Sequence, residues 1–276
     1  AANPGFVAPT SATYKYDKLL PNIGLNYDIT PSASIFASYA KNLSVPGTDA
    51  LYGALYFDED SSSGQPKPET SDAFDLGFRY QSGIIQAQLS GWYTRYNNRL
   101  ASAYDADCDC TVTRNLGRVD KYGIDGSVAV RPVKDLMFYV FGSYLKSEIK
   151  DDVQTSATAY AETAGKREAG APTYTFGGRI QGTLGPVDLG LQVKRTGERY
   201  VNDINTVKLP GYTLVDLDAR FSLAQFGLEK TFFQLNVTNL FDKVYIGYSG
   251  TSLTGTSGTA YLGAPRAISG SMVVAF

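Results

Sequence analysis

The chain has 276 residues, with 20 Tyr and 14 Phe but one Trp, two Met, two Cys and no His. Without His it can build neither a Ser-His-Asp or Cys-His nucleophile nor a His-ligated zinc or iron site, which removes most hydrolase readings. A formal net charge of −2 leaves no basic footprint for nucleic acid, and charged residues make up only 19%, below the roughly 25% usual in soluble domains.

No apolar run approaches the about 20 residues of a membrane-spanning helix. The opening residues Ala1-Ala2-Asn3-Pro4-Gly5 have neither a basic start nor an apolar stretch, so no signal peptide is expected there.

Period-2 alternation runs through most of the chain. Phe74, Leu76, Phe78 and Tyr80 alternate with Asp75, Gly77, Arg79 and Gln81. Val187, Leu189, Leu191 and Val193 alternate with Asp188, Gly190, Gln192 and Lys194, and Val215, Leu217, Ala219 and Phe221 with Asp216, Asp218 and Arg220. Such a pattern specifies strands with one apolar and one polar face. Eleven strands are predicted, at roughly 16–29, 33–46, 69–82, 84–98, 113–131, 135–149, 171–184, 187–200, 211–224, 231–246 and 260–276.

The connections alternate short and long. Thr30-Pro31-Ser32, Ser82-Gly83, Pro132-Val133-Lys134, Gly185-Pro186 and the stretch near Gln225-Phe226-Gly227 are short, whereas about 47–68, 99–112, 150–170, 201–210 and 247–259 are long and polar. Short turns at one end and long loops at the other are the pattern of a transmembrane β-barrel. With long loops outside, the first and last strands both run inward, so the count is odd. Single-chain bacterial barrels have even counts, and an open sheet leaves unpaired edges in lipid. The expectation is an all-β, antiparallel transmembrane barrel of which these eleven strands are a part.

Four segments resemble the C-terminal half of TonB-dependent outer-membrane receptors. They are Lys67-Pro68-Glu69-Thr70-Ser71-Asp72-Ala73-Phe74-Asp75-Leu76-Gly77, Leu209-Pro210-Gly211-Tyr212-Thr213-Leu214-Val215-Asp216-Leu217, Asn236-Val237-Thr238-Asn239-Leu240-Phe241-Asp242-Lys243-Val244-Tyr245, and Gly263-Ala264-Pro265-Arg266 ten residues before Phe276. The resemblance implies a 22-stranded barrel whose second half spans residues 1–276, filled by a plug that, with the N-terminal strands, lies outside this sequence. It also implies capture of a scarce ligand, most often a ferric siderophore, and import driven by TonB. A passive porin-like channel and a structural or adhesive surface protein are the alternatives. No cofactor and no enzymatic activity are expected. The implied partners are TonB, the plug, the remaining strands, the barrel-assembly machinery and outer-membrane lipid.

Candidate sites follow. Arg79, Arg179, Lys194, Asp216, Asp218 and Arg220 share the polar parity and are expected to face the lumen or plug, because Lys or Arg in mid-membrane lipid costs about 2–4 kcal/mol. Asp216 and Asp218 make a poor catalytic carboxylate pair with Arg220 beside them. Tyr residues near strand ends, such as Tyr39, Tyr80 and Tyr93, suit interfacial girdles. Tyr52, Tyr56, Phe57 and Tyr104 lie in long loops, placed either to stack on a ligand or to pack the loop. Cys108 and Cys110 are a disulfide candidate in an external loop, with metal binding undersupplied by ligands. Asp58-Glu59-Asp60 reads as a solvated loop or a Ca²⁺ contact. Met272, Val274 and Phe276 share one face of the last strand, which the resemblance assigns to recognition by the assembly machinery.

Overall fold

The computed structural model describes residues 13–47, 67–105, 110–154, 159–255 and 259–274. Eleven strands form one sheet: β1 (Asn22–Thr30), β2 (Ala33–Ser44), β3 (Glu69–Gln81), β4 (Ile85–Asn97), β5 (Val119–Val133), β6 (Leu136–Ile149), β7 (Tyr174–Leu184), β8 (Val187–Thr196), β9 (Tyr212–Ser222), β10 (Phe232–Thr238) and β11 (Ala267–Val273). Each pairs antiparallel with the next in chain order. The sheet is therefore an open up-and-down meander, with β1 at one edge and β11 at the other. Among the described residues the one helical element is a 3-10 turn, Ala224–Phe226, and no helix is long and apolar enough to cross a membrane.

The alternating residues sort onto two faces because paired residues share a face. Ile35, Phe78 and Leu89 stand side by side in register on one face. Ser38, Asp75 and Trp92 do so on the other. The apolar face is bare: Leu76 is 64% exposed and Val140 61%. A soluble sandwich would bury that face against a second sheet. Here the polar face carries its own hydrogen bonds instead, with Ser38 Oγ donating to Asp75 Oδ2 at 3.0 Å and Trp92 Nε1 to Asp125 Oδ2 at 2.7 Å. Large rings on this face lie over glycines of the adjacent strand: Phe36 over Gly77, Trp92 over Gly123, Phe141 over Gly177. A Cβ at any of these glycines would occupy the ring's place.

Buried apolar side chains gather at the long-loop end of the sheet, where β5 begins and β6 ends, and in the loops beyond it. Leu116, Val119, Ile149, Val153, Ala161 and Leu253 form one cluster. Four two-stranded pairs extend the wall there: Leu100–Asp105 with Cys110–Asn115, Val153–Gln154 with Tyr160–Ala161, Arg199–Tyr200 with Lys208–Leu209, and Ile246–Ser249 with Ala260–Leu262.

Those extensions correct the expected boundaries. The eighth strand ends at Thr196, and Arg199–Tyr200 belongs to a separate pair. The tenth ends at Thr238 because Asn239 and Asp242 take positive φ, 51° and 52°, and turn the chain out of the ladder. The last begins at Ala267, since Ala260–Leu262 pairs with Ile246–Ser249 rather than with the wall. Alternation continues through these extensions, so sequence pattern alone merged them with the wall strands.

Candidate functional site

The six predicted charges all lie on the polar face, but they divide by partner. Arg179 Nη1 donates to Asp218 Oδ1 at 2.7 Å and Nη2 to Asp218 Oδ2 at 3.0 Å. Asp216 Oδ1 accepts from the Asn239 N–H at 2.9 Å and so holds the end of β10. The Arg220 guanidinium lies 3.7 Å from the Phe232 ring centroid. Arg79 lies 4.1 Å from that of Phe36, and its Nε donates to Gln88 Oε1 at 3.3 Å. Lys194 is exposed and stands opposite Gly177 and Leu214 in register. Among the described residues, no carboxylate is within ion-pair distance of Arg79, Lys194 or Arg220.

A second charged group closes the long-loop end of the same face, and the sequence reading did not find it. Arg99, just beyond β4, pairs with Glu69 at 2.9 Å and with Glu168 at 3.0 Å, while Lys121 reaches Glu168 at 2.7 Å. Glu69 Oε2 also accepts from the Leu100 N–H at 2.8 Å. The cluster ties the start of β3, the end of β4 and β5 to the loop carrying Glu168.

Next to it, Asn202, Asp203 and Asn205 join three loops. Asn205 Nδ2 donates to Arg167 O at 2.7 Å and its Oδ1 accepts from the Arg167 N–H at 2.8 Å. Asn202, fully buried, donates from Nδ2 to Thr206 Oγ1 at 2.7 Å and to Gly255 O at 3.1 Å. Asp203 Oδ1 accepts from the Ala169 N–H at 2.8 Å. Burial pushes the Asp203 carboxyl up to about 7; the Ala169 N–H opposes the rise and the negative Glu168 adds to it. The signal available in sequence was the Asn-Asp-Ile-Asn run inside a polar loop, since buried Asx side chains commonly bridge backbone groups.

The signature turn after β10 also has a structural role. Asn239 Oδ1 accepts from the Lys243 N–H at 2.8 Å, while its Nδ2 donates to Lys243 O at 2.9 Å and to Ala264 O at 3.1 Å. Asp242 Oδ1 accepts from the Arg266 N–H at 2.8 Å. Tyr245 lies over Gly263, and its centroid is 4.3 Å from that of Tyr212. Residues 239–245 thus clamp residues 263–266, the lead-in to β11.

A family model described as TonB dependent receptor-like, beta-barrel matches residues 1–240. The chain belongs to the TonB-dependent receptor family. It is similar to the ferrioxamine B receptor of Salmonella typhimurium, 27% identical over 220 residues, 76% of this chain and 29% of that protein. It is also similar to the metal-pseudopaline receptor CntO of Pseudomonas aeruginosa, 24% identical over 246 residues, 88% of this chain and 32% of that one. The solved ferric enterobactin receptor PfeA of the same organism, a G324V mutant, superposes with a TM-score of 0.70 at 18% identity, covering 93% of this chain and 40% of its own. That likeness shows the fold. The chain therefore spans about a third of the length of its curated relatives.

The receptor is an outer-membrane barrel protein, and the apolar face of its sheet, the one the alternation assigns to lipid, is bare. The boundary of that face is charged. On the lipid parity, Lys41, Asp72, Arg95, Asp120 and Glu148 stand in one register row across β2–β6. Lys41 pairs with Asp72 at 3.1 Å, Arg95 with Asp120 at 3.2 Å, and Lys150 with Glu148 at 2.6 Å. One step toward the short turns, Tyr39, Phe74, Tyr93 and Tyr122 form the next row, the aromatic girdle expected at an interface. From Asp72 to Tyr80 is about 27 Å along β3, or about 20 Å of depth at the usual tilt, close to the ~25 Å apolar band of such barrels. These charges were legible as breaks in the apolar parity near strand ends.

Of the predicted loop residues, Tyr52, Tyr56, Phe57 and the run Asp58-Glu59-Asp60 lie outside the described residues, as do Cys108 and Phe276. Tyr104 falls in the strand Leu100–Asp105, and Cys110 opens its partner. Met272 sits opposite Phe233 on the lipid face, and Val274 is exposed just past β11. Tyr96, paired with Ser71 in register, lies on the polar face, and the Arg99 guanidinium is 4.7 Å from its centroid.

Proposed function

We propose that these residues are part of the wall and outer mouth of a receptor that captures a ferric siderophore and imports it with energy delivered through TonB. The observation carrying this reading is the nature of the relatives. Proteins named as receptors for ferrioxamine B, metal-pseudopaline and ferric aerobactin align with 76–88% of the chain. A siderophore brings its own iron ligands, so a chain without His suits this cargo.

In this reading the plug and the remaining strands come from outside these residues. The polar-face cations with no carboxylate partner among the described residues, Arg79, Lys194 and Arg220, meet acidic groups of the plug. Tyr52, Tyr56, Phe57 and Tyr104 contribute aromatic contacts to the ligand. Met272, Val274 and Phe276 present the terminal strand to the assembly machinery.

The test is uptake of iron-loaded ferrioxamine B and aerobactin by cells expressing the whole receptor in a strain lacking its own siderophore receptors. Accumulation that stops when TonB is deleted is the expected result. Accumulation independent of TonB would point to a passive channel, and no accumulation of any ferric siderophore would overturn the reading.

A further inference from the structure

The lipid face of β7 carries Tyr174, Phe176, Gly178, Ile180, Gly182 and Leu184. Two recesses open on it, on either side of Ile180. The larger, about 580 Å³, is bounded by Val133, Leu136, Gly182, Leu184, Leu189 and Leu217. The smaller, about 320 Å³, lies over Gly178 between Val140 and Val193. Gly182 faces Leu136 on one side and Leu189 on the other.

Nothing local requires glycine at 182. It has no positive φ, and an added Cβ would meet only ordinary contacts, 3.7 Å from Asp135 O and 3.8 Å from Leu136 Cδ1. What the missing side chain provides is the recess. From Gly178 to Leu184 the two recesses, parted by the Ile180 side chain, together span about 20 Å along the strand, about 15 Å of depth at the usual tilt, which is one leaflet of a 30 Å hydrocarbon core.

The recess ends at the turn between β5 and β6, on the short-turn side. Lys134 and Asp135 form that turn, and the Thr183 N–H donates to Asp135 O at 2.9 Å, holding the turn beside β7. Asp135 lines the larger recess. Both residues are exposed, and neither is in an ion pair with another described residue. Adjacent, unpaired charges of opposite sign at the end of an apolar groove match a zwitterionic head group above an acyl chain.

We propose that this groove binds one phospholipid of the periplasmic leaflet. An acyl chain lies over Gly182 and Gly178, and a phosphoethanolamine head places its phosphate by Lys134 and its ammonium by Asp135. The proposal rests on membership of the outer-membrane family and is independent of which ligand is transported.

The test uses the whole receptor, stripped of lipid by detergent exchange and offered phosphatidylethanolamine or phosphatidylglycerol of matched chains. Native mass spectrometry then counts retained lipid. One phosphatidylethanolamine per receptor is expected to survive, retained about tenfold over phosphatidylglycerol. Gly182→Leu, which fills the recess, should lower that retention about tenfold. Asp135→Asn, on an exposed turn, should keep the lipid but abolish the head-group preference. Equal retention by wild type and Gly182→Leu would overturn the site. So would loss of all lipid from the wild type, or a preference that Asp135→Asn leaves unchanged.

Discussion

Arg179 and Asp218 meet across an intervening strand: β8 separates β7 from β9, yet the guanidinium and carboxylate bond in two places, at 2.7 and 3.0 Å. The passage exists because Gly190 stands between them. A Cβ there would lie 2.6 Å from Asp218 Oδ1 and would displace the guanidinium. The ion pair is partly exposed, so it contributes only about 1 kcal/mol or less by itself. The interlock with glycine is the stronger constraint. Gly190→Ala should cost about 1–3 kcal/mol through overpacking. The same change in an Arg179→Ala background should cost less than half as much, because the guanidinium is gone and the Asp218 carboxylate, no longer held by it, can turn away. Urea midpoints of the two singles and the double, in the whole receptor, check this; simple additivity would show that the two residues are not coupled.

The joint at Asp203 should be pH-dependent. Its folded carboxyl is raised to about 7 by burial. Between the unfolded value near 4 and pH 7 the folded state holds a proton that the unfolded state has lost. The stability of the joint therefore falls as pH rises through that window and levels off above it. The total is about 4 kcal/mol at most. Asp151 works in the opposite sense: Arg118 holds its carboxyl below the usual value, so its contribution is present above about pH 4 and lost on further acidification. Hydrogen exchange of residues 165–170 and 199–207, corrected for intrinsic rates, should lose protection from pH 5 to pH 7.5. Asp203→Asn should remove most of that dependence.

Asn239 combines a left-handed backbone with side-chain bonds to Lys243 N, Lys243 O and Ala264 O. Asn239→Ala loses all three bonds and strains φ, for an expected loss of about 2–4 kcal/mol. Asn239→Gly relaxes φ but not the bonds and should fall between. The readout is proteolytic nicking between residues 243 and 266, ordered Ala > Gly > wild type. Equal nicking of all three would show that the clamp contributes nothing to holding β11.

The charged row Lys41, Asp72, Arg95, Asp120 and Glu148 is expected to mark the outer boundary of the membrane. Leu76, 64% exposed on the lipid face, lies below the aromatic row, and Thr70 lies above the charged row. Leu76→Arg should cost about 2–4 kcal/mol and Thr70→Arg about 0–1 kcal/mol, from unfolding in lipid vesicles. Equal costs would place the boundary elsewhere.

The period-2 pattern carried the strands, their order and the side each residue faces, because parity is a local property that pairing preserves. Phe74, Leu76 and Phe78 declared the lipid face of β3 without any partner strand in view. Asp72 on the same parity already marked where that face ends. The turn at Asn239 was visible as a family signature, but its bonds to Ala264, 25 residues away, were not.

What tertiary structure decided was which charges neutralise one another. Asp216, Asp218 and Arg220 look alike along β9, yet Asp218 is bound by Arg179 two strands away, Asp216 by the Asn239 N–H in the turn after β10, and Arg220 by a ring. Arg99 joins Glu69 and Glu168, 30 and 69 residues distant, and Asp203 is raised to about 7 only because three loops close over it. Sequence determines a residue's face through the geometry of its own strand. Its charge partner depends on strand register and loop packing, which bring together groups far apart in the chain.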